Sequence, residues 1–159
     1  TISEFVSGSP SLCAVADFAK IHLDRRLTFG ETKNSAIAEI ENIIKDMESK
    51  VDVLQYFEKS YTGLKYGMEK YYPTWIIPED HKIIRTGIET FQGLFEEKPK
   101  VDKWTFSTNG VTINGIYNIP LIGFGPGNEI FAHAPNEAVP IDDLVKASAF
   151  YADFASRII

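Results

Sequence analysis

The sequence predicts a mixed α/β protein, and three patterns in its first third support this prediction. Residues 15–27 alternate apolar and polar side chains, as a half-buried strand does. Residues 33–49 carry apolar side chains at helical spacing, and residues 51–57 are rich in β-forming types. A strand, a helix and a second strand in this order suit a small sheet covered by helices on one face.

The second half of the chain predicts a helix, two strands and a further helix. The first helix follows Pro78 and carries a stripe of Ile84, Ile88, Phe91 and Phe95. Residues 104–106 and 119–124 are expected to be strands, and the last helix is expected to begin near Ile141. The side chains expected to face inward from this helix are Leu144, Ala147, Tyr151, Phe154 and Ile158.

The two halves are separated by residues 61–78, which are aromatic, interrupted by Gly and Pro, and not periodic. Such a segment is typical of a hinge between domains. We therefore expect one domain over residues 1–60, a hinge over 61–78 and a second domain over 79–159. The second domain lacks strands to complete its sheet, so we expect the chain to be a fragment of a larger protein.

Composition excludes several classes of function. The net charge of −6 is spread along the chain, so a basic surface for nucleic acid is not expected. No apolar run approaches the roughly 18 residues that a membrane-spanning helix needs. Cys13 is the only cysteine, which rules out an internal disulfide and fits a reducing cytoplasm.

His133 is the strongest candidate for chemistry in the chain. It follows a glycine-rich strand end at residues 123–127, and sites in open α/β sheets gather at the carboxyl ends of strands. A neutral imidazole at such a place can bind a metal. Asn136 could fix the loop, and Glu137 could orient the histidine. On these residues alone, an ordinary polar loop ahead of a helix is the commoner explanation of the pattern.

Two further polar groups could bind a substrate. Ser107, Thr108 and Asn109 offer hydroxyl and amide groups to a carboxylate or an amide, although Asn109-Gly110 also fits a plain β-turn. Arg25 and Arg26 end the first long strand and point to opposite faces, so one of them could hold a carboxylate. A surface salt bridge is the commoner role for such an arginine.

Several segments occur in an order that resembles one family. They are Leu23-Asp24-Arg25-Arg26-Leu27, Gly30-Glu31-Thr32, residues 104–110 (WTFSTNG), residues 119–127 (IPLIGFGPG) and residues 132–137 (AHAPNE). Together they resemble the C-terminal part of the aminoacylase, carboxypeptidase G and succinyl-diaminopimelate desuccinylase family of di-zinc hydrolases. The nearest subgroup is the selenium-metabolism hydrolases. The resemblance covers nearly the whole chain.

The resemblance implies a fold and a metal site. The family has an α/β catalytic domain with a smaller α+β lid inserted into it, so residues 1–60 would be the later part of a lid that builds a homodimer. The intact family members hold two zinc ions through two His and three carboxylates. The last of these ligands is a His in an H-x-x-N-E context, which His133 matches.

The resemblance also implies partners and an activity. The lid arginine of the family, which holds a substrate carboxylate, corresponds to Arg25 or Arg26, and Ser107, Thr108 and Asn109 match a substrate-contacting turn. The implied activity is hydrolysis of an amide bond in a small amino-acid-like molecule. The other metal ligands and the general base of the family have no match here, so this chain alone is expected to hold no zinc and to be inactive. The alternative is a non-catalytic dimerisation or binding fragment.

Overall fold

The computed structural model describes residues 1–158, and the chain divides into two compact units, Thr1–Val51 and Asp52–Ile159. The mixed α and β content predicted from the sequence is confirmed. The predicted domain boundaries at residues 60 and 79 stay predictions. Within residues 1–158, no helix combines the length and the apolar character needed to cross a membrane.

The first unit contains an antiparallel hairpin. Strand β1 (Ile2–Gly8) pairs with β2 (Phe18–Leu23), with Phe5 opposite Ile21 and a bulge between Ile2 and Glu4. The strand predicted over residues 15–27 is therefore shorter than expected. The last backbone bond of the ladder joins the Asp24 N–H to the Thr1 carbonyl at 2.9 Å, and residues 25–27 lie beyond it.

Helix α1 (Lys33–Ile44) follows the hairpin. Thr32 and Ser35 form a capping box, in which each side chain accepts a hydrogen bond from the backbone N–H of the other residue. The sequence predicts that this helix continues to residue 49, and this prediction is wrong. The Met47 N–H bonds the Ile44 carbonyl at 2.9 Å, and this tighter turn ends the helix.

The second unit has much less strand than the sequence predicts. Strand β3 (Gln55–Tyr56) pairs with β4 (Met68–Glu69), so the expected strand over residues 51–57 is reduced to two residues. The strands predicted at 104–106 and 119–124 are wrong, because both segments are irregular. An apolar run forms a strand only beside a pairing partner, and the Ile119 N–H instead bonds the Ile113 carbonyl at 3.0 Å.

The predicted helices of the second unit are confirmed. Helix α2 (Lys82–Phe95) begins after His81, whose side chain caps it by accepting a bond from the Ile83 N–H at 3.2 Å. A π-helix (Val111–Ile116) and a short 3₁₀ turn (Glu129–Phe131) precede helix α3 (Ile141–Ile158). Helix α3 begins at the residue that the sequence indicates.

The core of the second unit lies where α2 packs against α3. Ala147 and Phe150 are buried on α3, and Thr86, Gly87 and Thr90 are buried on α2. The inward set predicted for α3 is therefore only partly correct, because Leu144 and Tyr151 are 44% and 49% exposed. The apolar stripe on α2 is half-buried, and the buried residues of this helix are the small ones.

Replacing Thr90 with valine should stabilise the second unit. The Thr90 side chain is fully buried, and its Oγ1 has no hydrogen-bond partner within the described part of the chain. Burying a hydroxyl without a partner costs about 1–3 kcal/mol, whereas valine keeps the shape. We expect the free energy of unfolding to rise by about 1 kcal/mol in urea titrations. Thr86→Val on the same helix is the control, and a loss of stability in Thr90→Val would contradict the argument.

Candidate functional site

His133 lies in a tight turn that presents it to solvent. The Phe131 carbonyl accepts a hydrogen bond from the Ala134 N–H at 3.0 Å, and Ala132 has φ −59° and ψ 126°. His133 follows with φ +63°, which completes a type II turn at the position where glycine is usual. The residue is exposed, so its ring is free of an apolar enclosure. A histidine held in this backbone region carries a strain that such turns normally avoid.

The carboxylate of Glu137 stabilises this turn through the backbone of His133. Its Oε2 accepts a hydrogen bond from the His133 backbone N–H at 3.0 Å. Asn136 has φ +62° and follows Pro135, which is the sequence preference of a second type II turn. In this structure Glu137 thus holds the main chain of His133, and Asn136 shapes the turn between them.

The metal site that the family resemblance implies does not fit the described residues alone. Within residues 1–158 there is no group of three or more His, Cys, Asp or Glu side chains that could hold a metal ion. A catalytic zinc takes three ligands from protein. His133 therefore offers one nitrogen ligand. The other ligands of any metal centre have to come from outside the described residues.

Thr108 and Asn109 line an open cavity of about 410 Å³. Thr108 Oγ1 accepts from the Gly110 N–H at 3.2 Å, and the Asn109 carbonyl accepts from the Thr112 and Ile113 N–H groups at 3.0 Å. Most of the other lining residues are aromatic or aliphatic: Trp104, Ile113, Leu121, Ile122, Phe124, Phe150, Tyr151 and Phe154. The cavity therefore offers two polar groups on an apolar wall, and Ser107 does not line it.

Trp75 supports this turn, which the sequence did not indicate. A Cβ added to Gly110 would lie 2.4 Å from Cζ2 of Trp75, so the indole ring rests directly on the glycine backbone. Gly110 precedes the π-helix, an element that often occurs at functional sites. The only signal in the sequence is Asn109-Gly110 itself, which also fits a plain β-turn.

The structure distinguishes the two arginines of the first unit. Nη2 of Arg25 lies 2.5 Å from Glu31 and 2.6 Å from Glu39, so two carboxylates already engage its guanidinium. Arg26 lies 3.3 Å from Asp24, and its side chain is 78% exposed. Arg25 ties the chain after β2 to helix α1, whereas Arg26 extends into solvent.

The ion pair at Arg25 predicts a pH dependence of stability. Hydrogen bonds from the Thr28 N–H, then from Arg25 and the Thr28 hydroxyl, lower the pKa of Glu31 from 4.5 to about 2. A lowered folded-state pKa gives stability that is present above pH about 4.5 and is lost as the pH falls towards 2. Urea titrations at pH 5, 3 and 2 measure the free energy of unfolding. In Glu31→Gln this free energy should no longer show the loss that protonation of Glu31 causes in the wild type on acidification. Glu41→Gln on α1 is the control; equal pH profiles for wild type and Glu31→Gln would contradict the prediction.

The structure brings only some of the predicted residues together. Glu137 contacts His133, and Thr108 and Asn109 share one cavity. His133 lines neither that cavity nor a second one of about 350 Å³ beside Phe91, Gly125 and Lys146. Arg25 and Arg26 belong to the other unit.

Comparison with known proteins identifies the family. Residues 4–157 match the model described as Peptidase family M20/M25/M40, so the chain belongs to this family. "Uncharacterized protein YgeY" of Escherichia coli strain K12 is 48% identical over 154 residues, which are 96% of this chain and 38% of that protein. The protein of the same name in Escherichia coli O157:H7 gives the same values. The chain therefore spans 38% of the length of these relatives, and no solved structure matches it.

Proposed function

We propose that the chain is the C-terminal part of a zinc-dependent amidohydrolase or peptidase that cleaves an amide bond in a small amino-acid-like substrate. The observation that carries the proposal is the family match over residues 4–157. The nearest subgroup by sequence pattern is the selenium-metabolism hydrolases. Dipeptides, acyl-amino acids and carbamoyl compounds are the substrate classes to test.

His133 is the metal ligand in this proposal. Its side chain is exposed on a turn that two features hold in place, the Phe131–Ala134 hydrogen bond and the Glu137 carboxylate. Zinc, when bound, polarises a carbonyl group and lowers the pKa of its water. The other ligands and the general base come from the rest of the full-length protein, because the described residues supply too few donors.

Two groups of side chains bind the substrate in this proposal. Arg26 takes the substrate carboxylate, since its guanidinium is exposed while that of Arg25 already pairs with two carboxylates. Ser107, Thr108 and Asn109 form the substrate-contacting turn. The apolar wall beside Thr108 and Asn109 suits an uncharged side chain or acyl group.

A second candidate function is dimerisation without catalysis. It is favoured by one face of the hairpin of the first unit, where Phe5 and Ile21 lie directly opposite each other and are 63% and 49% exposed. Exposed apolar surface of this kind marks interaction sites. In the full-length protein the same surface would form a homodimer through the lid. Size-exclusion chromatography at several concentrations separates a dimer from a monomer.

The proposed function is tested by comparing this chain with the full-length protein. We expect the full-length protein to hold two zinc ions and to hydrolyse acyl-amino acids or dipeptides. The chain of 159 residues should show no turnover and less than one zinc ion per chain. Zinc is measured by inductively coupled plasma mass spectrometry, and turnover by release of the amine. A zinc-loaded, active 159-residue chain would overturn the assignment of the missing ligands, and a metal-free, inactive full-length protein would overturn the hydrolase itself.

A further inference from the structure

Residues 127–143 form one loop whose two ends meet at helix α3. The Gly127 N–H donates to Oδ2 of Asp143 at 3.3 Å, and Asp143 lies in the first turn of α3. The loop contains both His133 and Glu137. Gly127 and Asp143 are more than a dozen residues apart in sequence. The hydrogen bond between them, at the base of the loop, therefore restricts the conformational freedom of a long segment.

The loop contributes no buried side chain to the core of the unit. All of its residues are exposed or half-buried, so no buried core fixes its position. Its internal bonds are local: Asn128 Oδ1 accepts from the Ile130 N–H at 3.0 Å, and Glu137 accepts from the His133 N–H at 3.0 Å. These bonds shape the loop but do not attach it to the rest of the unit.

The segment just before the loop is attached to the same helix. The Tyr151 hydroxyl donates to the Phe124 carbonyl at 2.5 Å, and the Phe124 ring stacks on Phe150 with the ring centroids 3.9 Å apart. At the base itself, Gly127 has φ +86°, and a Cβ added to it would lie 3.3 Å from Cγ2 of Val139. Helix α3 therefore anchors the incoming chain, and Asp143 is the side chain that closes the loop.

We propose that Asp143 is a positioning residue for His133, acting through the Gly127 backbone and not through contact with the metal or the substrate. The proposal rests on the proposed role of His133 as a metal ligand. When the hydrogen bond between Gly127 and Asp143 is formed, the turn that carries the His133 imidazole is held in a fixed position relative to α3. When the base opens, the turn and its bond from the His133 N–H to Glu137 loosen, and the imidazole loses its fixed position.

The first test is backbone hydrogen exchange on the 159-residue chain. Asp143→Ala should raise the exchange rate of the Gly127 amide about tenfold and raise that of the His133 amide as well. Asp143→Asn, whose amide oxygen still accepts, should restore most of the protection. Asp142→Ala is the matched control, because Asp142 lies in the same first helical turn and loses the same interaction with the helix dipole. An unchanged His133 amide in Asp143→Ala overturns the proposal.

The second test measures zinc affinity of the full-length protein. Asp143→Ala should weaken zinc binding by up to about tenfold, the low end of the effect of removing a group that holds a metal ligand. Asp143→Asn should recover the affinity, and Asp142→Ala should leave it unchanged. If His133→Ala leaves the zinc content unchanged, the proposed function fails while the exchange result stands. If His133→Ala removes zinc and Asp143→Ala has no effect on affinity, only the role of Asp143 is overturned.

Discussion

Replacing His133 with glycine should make the chain more stable and remove zinc from the full-length protein. His133 has φ +63°, a region that costs an L-residue about 1–2 kcal/mol and glycine almost nothing. Glycine also gains more freedom in the unfolded chain, so the expected net gain in the free energy of unfolding is about 0.5–1 kcal/mol. The strain at His133 agrees with the proposed role of its imidazole, and the zinc measurement tests that role.

Two other substitutions separate strain from function. Glu96 has φ +56° at the end of α2, so Glu96→Gly should stabilise the chain by a similar amount without changing the zinc content. His133→Ala keeps the unfavourable backbone and should lose zinc without gaining stability. Urea titration of the chain and zinc analysis of the full-length protein provide the two measurements. A His133→Gly protein that keeps its full complement of zinc would contradict the assignment of this ligand.

Control histidines are available in the same chain. His22 lies in strand β2, with Nδ1 2.5 Å from the Ser3 hydroxyl, and His81 caps α2. His22→Ala should leave the zinc content unchanged. Loss of zinc in His22→Ala as well as in His133→Ala would point to general damage to the fold.

The helices could be predicted from the sequence because their signals are local. The start of α3 near Ile141 and the apolar periodicity of α1 lie within a few residues of chain. The strands expected at 104–106 and 119–124 failed because a strand also depends on a partner that the segment itself does not specify. The sequence does not predict the end of α1, because a single tight turn at Met47 ends this helix.

The candidate site likewise contains residues that the sequence proposes and contacts that only the structure reveals. The sequence proposes His133, Asn136 and Glu137 because their order matches a family pattern, and their role stays a prediction. The bond from Gly127 to Asp143 and the support of Gly110 by Trp75 were not found, because each joins residues far apart in sequence. The preference for Arg26 over Arg25 likewise needed the structure, since both carboxylates that engage Arg25 are contributed by later residues.

Replacing Phe150 with alanine should have the largest effect on stability. Phe150 is 3% exposed, stacks on Phe124 and lies 5.7 Å from Phe154 between ring centroids. Removing a buried phenylalanine costs about 3–5 kcal/mol, a large part of the 5–15 kcal/mol that stabilises a typical domain. Phe150 and Ala147 are the buried apolar side chains of this core, and an alanine cannot contribute comparable aromatic contact.

Tryptophan fluorescence can assign the loss to the correct unit. Both tryptophans, Trp75 and Trp104, lie in the second unit, so their emission reports its unfolding alone. In urea, Phe150→Ala should shift the fluorescence transition to much lower denaturant. Val145→Ala, at a residue that is 64% exposed on the same helix, should change stability by less than about 0.5 kcal/mol. If Phe150→Ala costs no more than Val145→Ala, the packing of α2 on α3 through this ring cannot be what holds the unit together.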